Sequence, residues 1–355
     1  MKKIIAFICW SEVFLMWFCA ASKYLNPAVT HKFISLAGLA FPISVLIVLL
    51  TALVCLIIAR KQVLILILGL AVCFNSLRDY CPINLTASVP ETADLKVLSY
   101  NTMSFSSWEK DEDGAFSVSK YLMNENPDIA CLQEVSFRKT EDQEAMLKVC
   151  EAHGYHYKWT VIGETNMGVL SKFPIVKMDT ICQSAGNGAA AFYAVRGEQD
   201  TLLIINAHLE SMHLSKEDRG QYHAIVKHPA QADTIKGKRT MLRKICNSGV
   251  TRAGQADALG KFLDEHAGQQ IILTGDFNDT PISYTHHQVC SRLTDAFKTA
   301  GNGISRSFNK DAIVVRIDNI FCSSHWTPVY TKVDHTVKYS DHYPIISYLK
   351  KNDCP

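Results

Sequence analysis

Residues 34–58 read ISLAGLAFPISVLIVLLTALVCLII, with no charge at any position. An α-helix rises 1.5 Å per residue, so crossing the ~30 Å hydrocarbon core of a bilayer takes about 20 apolar residues. This run meets that length. A buried core helix can also be apolar all round, but an uncharged run this long argues against that reading. Two further apolar runs flank it, Ile4–Ala21 and about Val63–Leu77. The expectation is a membrane segment over 1–81 with helices over 4–21, 34–58 and 63–77. Glu12 in the first run is costly in lipid unless it faces a neighbouring helix. Lys2-Lys3 before that run and the small residues Ala20-Ala21-Ser22 after it also fit a cleaved signal peptide. The third run is short and ends in Asn75 and Ser76.

Lys2, Lys3, Arg60 and Lys61 fall at alternate ends of these runs. Holding both pairs in the cytoplasm places everything after residue 82 outside it, by the positive-inside rule. Lys23 and Lys32 in the first loop weaken that asymmetry. The chain is therefore expected to be multi-pass, with residues 94–352 as an extracytoplasmic domain after a linker over 82–93 that contains Val89-Pro90-Glu91-Thr92.

Beyond the membrane segment, acidic residues slightly outnumber basic ones. Domains that read long nucleic acid carry a strong basic footprint, so a sequence-reading or processive nuclease is disfavoured. The cysteines are spread singly, with no spacing that suggests zinc. Short apolar runs alternate with helical patterns and predict a strand-rich α/β domain. Strands are expected at Leu95–Tyr100, Ile129–Leu132, Val169–Leu170, Ala190–Val195, Leu202–Ala207, Ile271–Leu273, Val314–Phe321 and Ile345–Leu349. Helices are expected at Phe116–Met123, Glu141–His153 and Arg252–Glu265.

Polar residues terminate these strands. Asn101 ends LKVLSYN, Glu134 ends IACLQE and His208 ends LLIINAH; Asp276 and Asn278 follow IILTG. Asp318 lies in VVRIDNIF, and Asp341 and His342 open the last strand in YSDHYPI. Each alone reads as a turn or a solvated strand end. Together they supply oxygen donors without cysteine, which suits a hard cation such as Mg²⁺ or Mn²⁺. They also supply histidines suited to phosphate contact or proton transfer.

The order and wording of LSYN, PDIACLQEV, GVLSKFPI, NAHLES, LTGDFND, RIDNIF and SDHYPI resemble the endonuclease/exonuclease/phosphatase family over about residues 95–349. The resemblance implies a four-layer α/β sandwich of two mixed sheets flanked by helices. It implies Glu134 as the main metal carboxylate, with Asn101 and Asp341 near the metal. It implies Asp276 to orient or activate water, Asn278 and His208 to bind phosphate, His342 at the scissile phosphate, and Asp318 to hold His342 in one tautomer. Val135, Ser136 and Phe137 after the metal carboxylate do not identify a substrate class.

Residues 211–250 hold eight Lys or Arg against three Asp or Glu, together with His213, His223 and His228. They read either as a basic lid over an anionic substrate or as a solvated excursion with ordinary surface charge; the second is the simpler reading. Three functions are compatible with the whole sequence. One is a membrane-held phosphodiesterase or phosphatase acting on lipid or small phosphate esters. The others are an extracytoplasmic nonspecific nuclease on DNA or RNA, and a non-catalytic membrane binding protein. The expected partners are the bilayer and the phosphate ester; no obligate protein partner is implied.

Overall fold

The computed structural model describes residues 2–85, 88–108, 116–197, 200–212, 235–310 and 314–353. The chain begins with α1 (Lys2–Ala21) and α2 (Ile34–Ile58), both long and apolar enough to cross a membrane. A third crossing exists if α3 (Val63–Val72) and α4 (Phe74–Tyr80) count as one span. One helix was expected over 63–77; the chain instead bends by 63° at Cys73. The polar residues Asn75, Ser76, Arg78 and Asp79 turn away from the apolar α3. Glu12 faces a neighbour as its cost requires, since the Thr51 hydroxyl of α2 donates to Oε1 at 3.0 Å. α1 and α3 approach closely: a Cβ on Gly69 would lie 2.6 Å from Val13 Cγ2, and Trp17 Nε1 donates to the Gly69 carbonyl. Small residues allow such close helix packing in lipid.

The rest forms two six-stranded sheets. The first has the order β11 (Trp326–Val333), β12 (Ile345–Lys351), β1 (Leu95–Asn101), β2 (Ile129–Gln133), β4 (Thr165–Ser171), β3 (His156–Ile162). The second runs β5 (Ile175–Gln183), β6 (Gly188–Arg196), β7 (Asp200–His208), β8 (Gln270–Asp276), β10 (Asp318–Cys322), β9 (Thr294–Asp295). Each sheet is mixed, with one parallel pair: β1 with β2, and β7 with β8. The remaining helices are the short turn α5 (Met103–Trp108), α6 (Ser117–Glu125), α7 (Thr140–Ala152), α8 (Ile235–Glu265), α9 (Tyr284–Cys290) and α10 (Ala296–Ala300).

Alternation along the strands sends one set of side chains to each face. Val97, Ile129 and Val169 of the first sheet meet Phe192, Ile204, Ile272 and Ile320 of the second. The outer face of the first sheet, through Leu98, Ala130 and Leu170, packs on Val118 and Leu122 of α6 and Met146 and Cys150 of α7. The outer face of the second, through Leu203, Ile205 and Leu273, packs on Leu259 and Leu263 of α8 and Val289 of α9. The result is a four-layer α/β sandwich. A polar link crosses its interior: Gln133 Nε2 donates to Asn206 Oδ1 at 2.7 Å, and Asn206 Nδ2 donates to the carbonyls of Leu132 and Gly168. A buried amide leaves few polar groups unpaired only in one alignment, so this pair fixes the register of the two sheets.

Of the expected boundaries that differ, two concern the basic stretch and the approach to Asp318. The helix expected from Arg252 begins at Ile235, so α8 spans 31 residues and includes the second half of the basic stretch. The strand expected over Val314–Phe321 begins at Asp318; before it the Val315 carbonyl accepts from the Ser307 amide, and the Ile317 amide donates to Ser307 Oγ, so this stretch follows the Ser307 loop. Residues 213–234 of the basic stretch lie outside the described residues.

The sandwich rests on the N-terminal helices. A Cβ on Gly38 would fall 2.1 Å from the Ile282 carbonyl oxygen, and one on Gly249 would fall 2.2 Å from Ser35 Oγ. Ile282 belongs to the same apolar cluster as Val13 and Phe41. The Tyr24 and His287 rings meet edge to face at 4.7 Å. The Asp79 carboxylate lies between Lys23 Nζ at 2.7 Å and Lys298 Nζ at 2.5 Å.

Candidate active site

Both parallel pairs end at the same rim, which is why the terminal polar residues converge. Asn101 pairs with Gln133 across β1 and β2, placing Glu134 one residue beyond. His208 pairs with Asp276 across β7 and β8, and Asp276 pairs with Asp318 across β8 and β10. The turn into Asp276 depends on Gly275. Its φ is 142°, and a Cβ there would fall 1.8 Å from the Ala207 carbonyl oxygen. Only glycine combines that conformation with that approach. Glu134 has φ 54° and Asn278 φ 50°. Such left-handed non-glycine residues, where strands end, commonly mark a functional rim.

Asp276 is the centre of the cluster. Asn101 Nδ2 donates to Asp276 Oδ2 at 3.2 Å and to Glu134 Oε1 at 3.1 Å, bridging the two carboxylates. His208 Nε2 lies 3.6 Å from Asp276 Oδ2 and 3.8 Å from Glu134 Oε1. His342 Nε2 also lies 3.6 Å from Asp276 Oδ2, while its Nδ1 is 2.9 Å from Asp318 Oδ2. The Asn278 backbone N–H donates to Asp276 Oδ1 at 2.8 Å. The Asn278 side-chain amide donates to the Leu209 carbonyl at 3.0 Å, which leaves its oxygen free of that bond. Asp341 adjoins the site in sequence, its Oδ1 3.5 Å from Ser340 Oγ, while Ser340 Oγ donates to the Asn101 carbonyl at 2.7 Å and accepts from the His342 amide at 3.2 Å.

Burial sets the charge states. Removal from water pushes the Asp276 carboxyl up to about 6, and the nearby Asp318 charge adds to the rise. Burial alone would lower His342, but the Asp318 and Asp276 carboxylates outweigh it and raise the imidazole to about 10. Burial lowers His208, against the pull of the Asp276 carboxylate. Burial thus disfavours a charge on His208, while the neighbouring carboxylates favour one on His342, and both rings lie within reach of the Asp276 carboxylate.

The same donors suit a divalent cation. Among the described residues, none of Glu134, Asp276, Asp318 and Asp341 is ion-paired with a lysine or arginine. Asp318 Oδ1 and His208 Nδ1 are buried without a hydrogen-bond partner. Ligand atoms of Asp276, Asp318 and His342 lie within 4.8 Å of one another. Excess carboxylate oxygen without thiolate is a hard-cation donor set, and the side chain of Glu134 is 40% exposed, open to the cleft.

Three supporting residues escaped the sequence reading. Ser307 Oγ accepts from the Asp318 and Ile317 amides. The Phe308 ring packs edge-on against His342 at 5.1 Å. Ser340 sits inside the SDHYPI motif, so its position was visible though its partners were not. Ser307 and Phe308 lie in a loop that carries no sequence signal.

A family model described as the endonuclease/exonuclease/phosphatase family matches residues 98–342. A second, described as a domain of unknown function, matches residues 2–80. No curated protein sequence matches the chain. The fold is similar to that of the human Nocturnin catalytic domain with a bound sulfate anion, with a TM-score of 0.51 at 16% identity, covering 73% of this chain and 94% of that one. The chain is also similar to a humanized D. rerio TDP2, with a TM-score of 0.49 at 16% identity, covering 72% and 99%. A 3′ phosphatase from Neisseria, NExo, bound to a product DNA hairpin, gives a TM-score of 0.49 at 15% identity, covering 72% and 99%. With the sandwich, the converging carboxylates and histidines, and a family match over most of its length, the chain belongs to the endonuclease/exonuclease/phosphatase family of metal-dependent phosphoesterases.

Proposed function

We propose that this chain is a membrane-held hydrolase that cleaves phosphate esters of lipids or small molecules with Mg²⁺ or Mn²⁺. The observation that carries the reading is the meeting of Asn101, His208 and His342 on the Asp276 carboxylate, with Glu134 beside them. Glu134 would be the principal metal ligand, with Asn101 and Asp341 next to it. A divalent cation bound there supplies charge neutralisation at the phosphate oxygens and acidifies water.

The protein's own groups divide the remaining work. Asp276 orients the attacking water and accepts its proton, a task for which a carboxyl lifted towards neutral pH is a stronger base. The water oxygen bonds to phosphorus as the bond to the ester oxygen breaks. The His342 imidazolium donates to a phosphoryl oxygen on which charge develops. Asp318 accepts from Nδ1–H and so keeps Nε2–H directed at the phosphate. His208 and Asn278 complete the phosphate cradle.

The membrane side of the reading is supported by the loop after Asp276. Asn278 stands four residues before Ile282, whose carbonyl abuts Gly38 of α2. The loop that carries Asn278 thus runs on into the segment that touches α2, which supports a substrate held at the membrane. The positive-inside pattern of Lys2, Lys3, Arg60 and Lys61 supports placing this segment outside the cytoplasm. The test is a substrate panel on the full chain in detergent or vesicles with Mg²⁺, containing phospholipids, sphingomyelin, plasmid DNA, RNA and a bis-aryl phosphate. Asp276→Asn serves as the control for contaminants. Cleavage of a lipid or small ester supports the reading. Cleavage confined to DNA or RNA would assign a nuclease, and no cleavage by any arm would leave only binding.

A further inference from the structure

The strand pairing of β7 and β8 ends at His208 and Asp276. Just beyond it, the Leu209 amide donates to the Asp276 carbonyl at 2.9 Å, and the Asn278 side chain donates to the Leu209 carbonyl. Further out, the two chains are joined by a side chain of α8. Arg252 Nη1 donates to the Glu210 carbonyl at 2.9 Å, and Arg252 Nε donates to Asp279 Oδ2 at 3.1 Å. One guanidinium thus bridges the residue two beyond His208 and the residue after Asn278. Arg252 is 1% exposed, and Glu210 and Asp279 are buried with it. Gln255 stands three residues on, along the same face of the helix. Its Oε1 accepts from the Glu210 amide at 2.9 Å and its Nε2 donates to the Asn187 carbonyl at 3.0 Å. Asn187 Nδ2 in turn donates to the Leu209 carbonyl at 3.0 Å.

Asn278 has φ 50°. A left-handed residue of this kind persists where its surroundings over-determine it, and the bonds on either side of it supply that constraint. We propose that Arg252, supported by Gln255, is a positioning residue for the phosphate cradle and sets the spacing of Asn278 from His208. The inference rests on the hydrolase reading above, which assigns those two residues to the phosphate. A guanidinium suits the task because its planar fork presents N–H groups in fixed directions to two acceptors at once. Its charge also matches the Asp279 carboxylate, which accepts further bonds from the Thr280 amide and the Thr285 hydroxyl. An ion pair that only balanced charge would leave the cradle in place once both charges were removed together. A clasp would not, because the bond from Arg252 to the Glu210 carbonyl is lost as well.

The test uses the full chain in detergent with Mg²⁺ and a bis-aryl phosphate. Arg252→Met alone leaves the Asp279 charge buried and unpaired, which threatens folding. Arg252→Met/Asp279→Asn removes both charges and keeps the test decisive. In the double variant KM should rise on the order of tenfold, while the Mg²⁺ concentration for half-maximal activity stays at the wild-type value. KM does not depend on how much of the protein is folded, so a merely structural role would lower the rate and leave KM alone. An unchanged KM overturns the proposal whatever happens to kcat. So does a rise in KM matched by an equal shift of the Mg²⁺ midpoint, which would mean that the whole site had come apart. If the wild type hydrolyses no ester, the hydrolase reading fails separately. Calorimetric titration with inorganic phosphate in the presence of Mg²⁺ then decides the clasp alone. Binding weakened about tenfold in the double variant supports it; unchanged binding, or no binding by the wild type, overturns it.

Discussion

Asp318 Oδ2 lies 2.9 Å from Nδ1 of His342, and both side chains are buried. Because Asp318 also pairs in register with Asp276 across β8 and β10, one short strand fixes the histidine relative to the carboxylate it serves.

That contact makes a titration prediction. The imidazole gains a carboxylate partner, so its folded value lies above the free one, at about 10. Asp318→Asn removes the negative charge, so the His342 transition should move down towards the ordinary value of about 6.5. The sign is fixed: between pH 7 and 9 the wild-type ring stays charged and the variant ring becomes neutral. Nitrogen-15 NMR of labelled histidine reads the shift, and an unmoved transition would refute the pairing. Turnover should fall with it by on the order of a hundredfold.

The strand ends were legible because a run of apolar residues closed by one polar residue leaves few alternatives. Asn101, Glu134, His208 and Asp276 all follow that rule. What the sequence did not reveal were β3, β5, β9 and β11, each at the edge of a sheet. Edge strands are half-solvated and carry polar residues on one side; β3 and β5 are mostly partly or fully exposed along their length. The beginning of α8 was hidden for a related reason. Its first turns hold Lys236, Gly237, Lys238 and Arg239, and the buried Met241, Ile245 and Cys246 that follow are interspersed with Arg243 and Lys244, which masks the helical spacing before Arg252. Local pattern could not reveal that Ser307 braces Asp318, since that contact joins residues from a loop and a strand eleven positions apart.

Gly275 offers a test of the rim itself. Gly275→Ala should place a methyl against the Ala207 carbonyl and strain a φ of 142°. The expected cost is roughly 2–4 kcal/mol, from strain and overpacking together. It is measurable as a lowered Tm for the detergent-solubilised chain. A variant as stable as the wild type would show that β7 and β8 do not approach as described.

The contact between Gly38 and Ile282 couples the sandwich to the helices. Gly38→Leu should push the two apart, since even a Cβ would lie 2.1 Å from the Ile282 oxygen. Protease cleavage near residues 82–93 should rise. Activity on a lipid in vesicles should fall severalfold more than activity on a soluble bis-aryl phosphate. Equal losses on both substrates would mean that docking does not present the cleft to lipid.

Glu134 should control metal affinity more than chemistry. Glu134→Gln removes the assigned principal ligand charge, and the Mg²⁺ concentration for half-maximal activity should rise on the order of 10–100-fold. A Mg²⁺ titration checks this; an unchanged midpoint would place the metal elsewhere.

The most direct measurement is Mg²⁺-dependent hydrolysis of a bis-aryl phosphate by the purified full chain, wild type beside His342→Ala. The wild type should turn over only with the divalent cation, and the variant should retain about one hundredth of that rate or less. Wild-type turnover in His342→Ala, or turnover indifferent to EDTA, would contradict a hydrolytic centre built on Asp276 and His342.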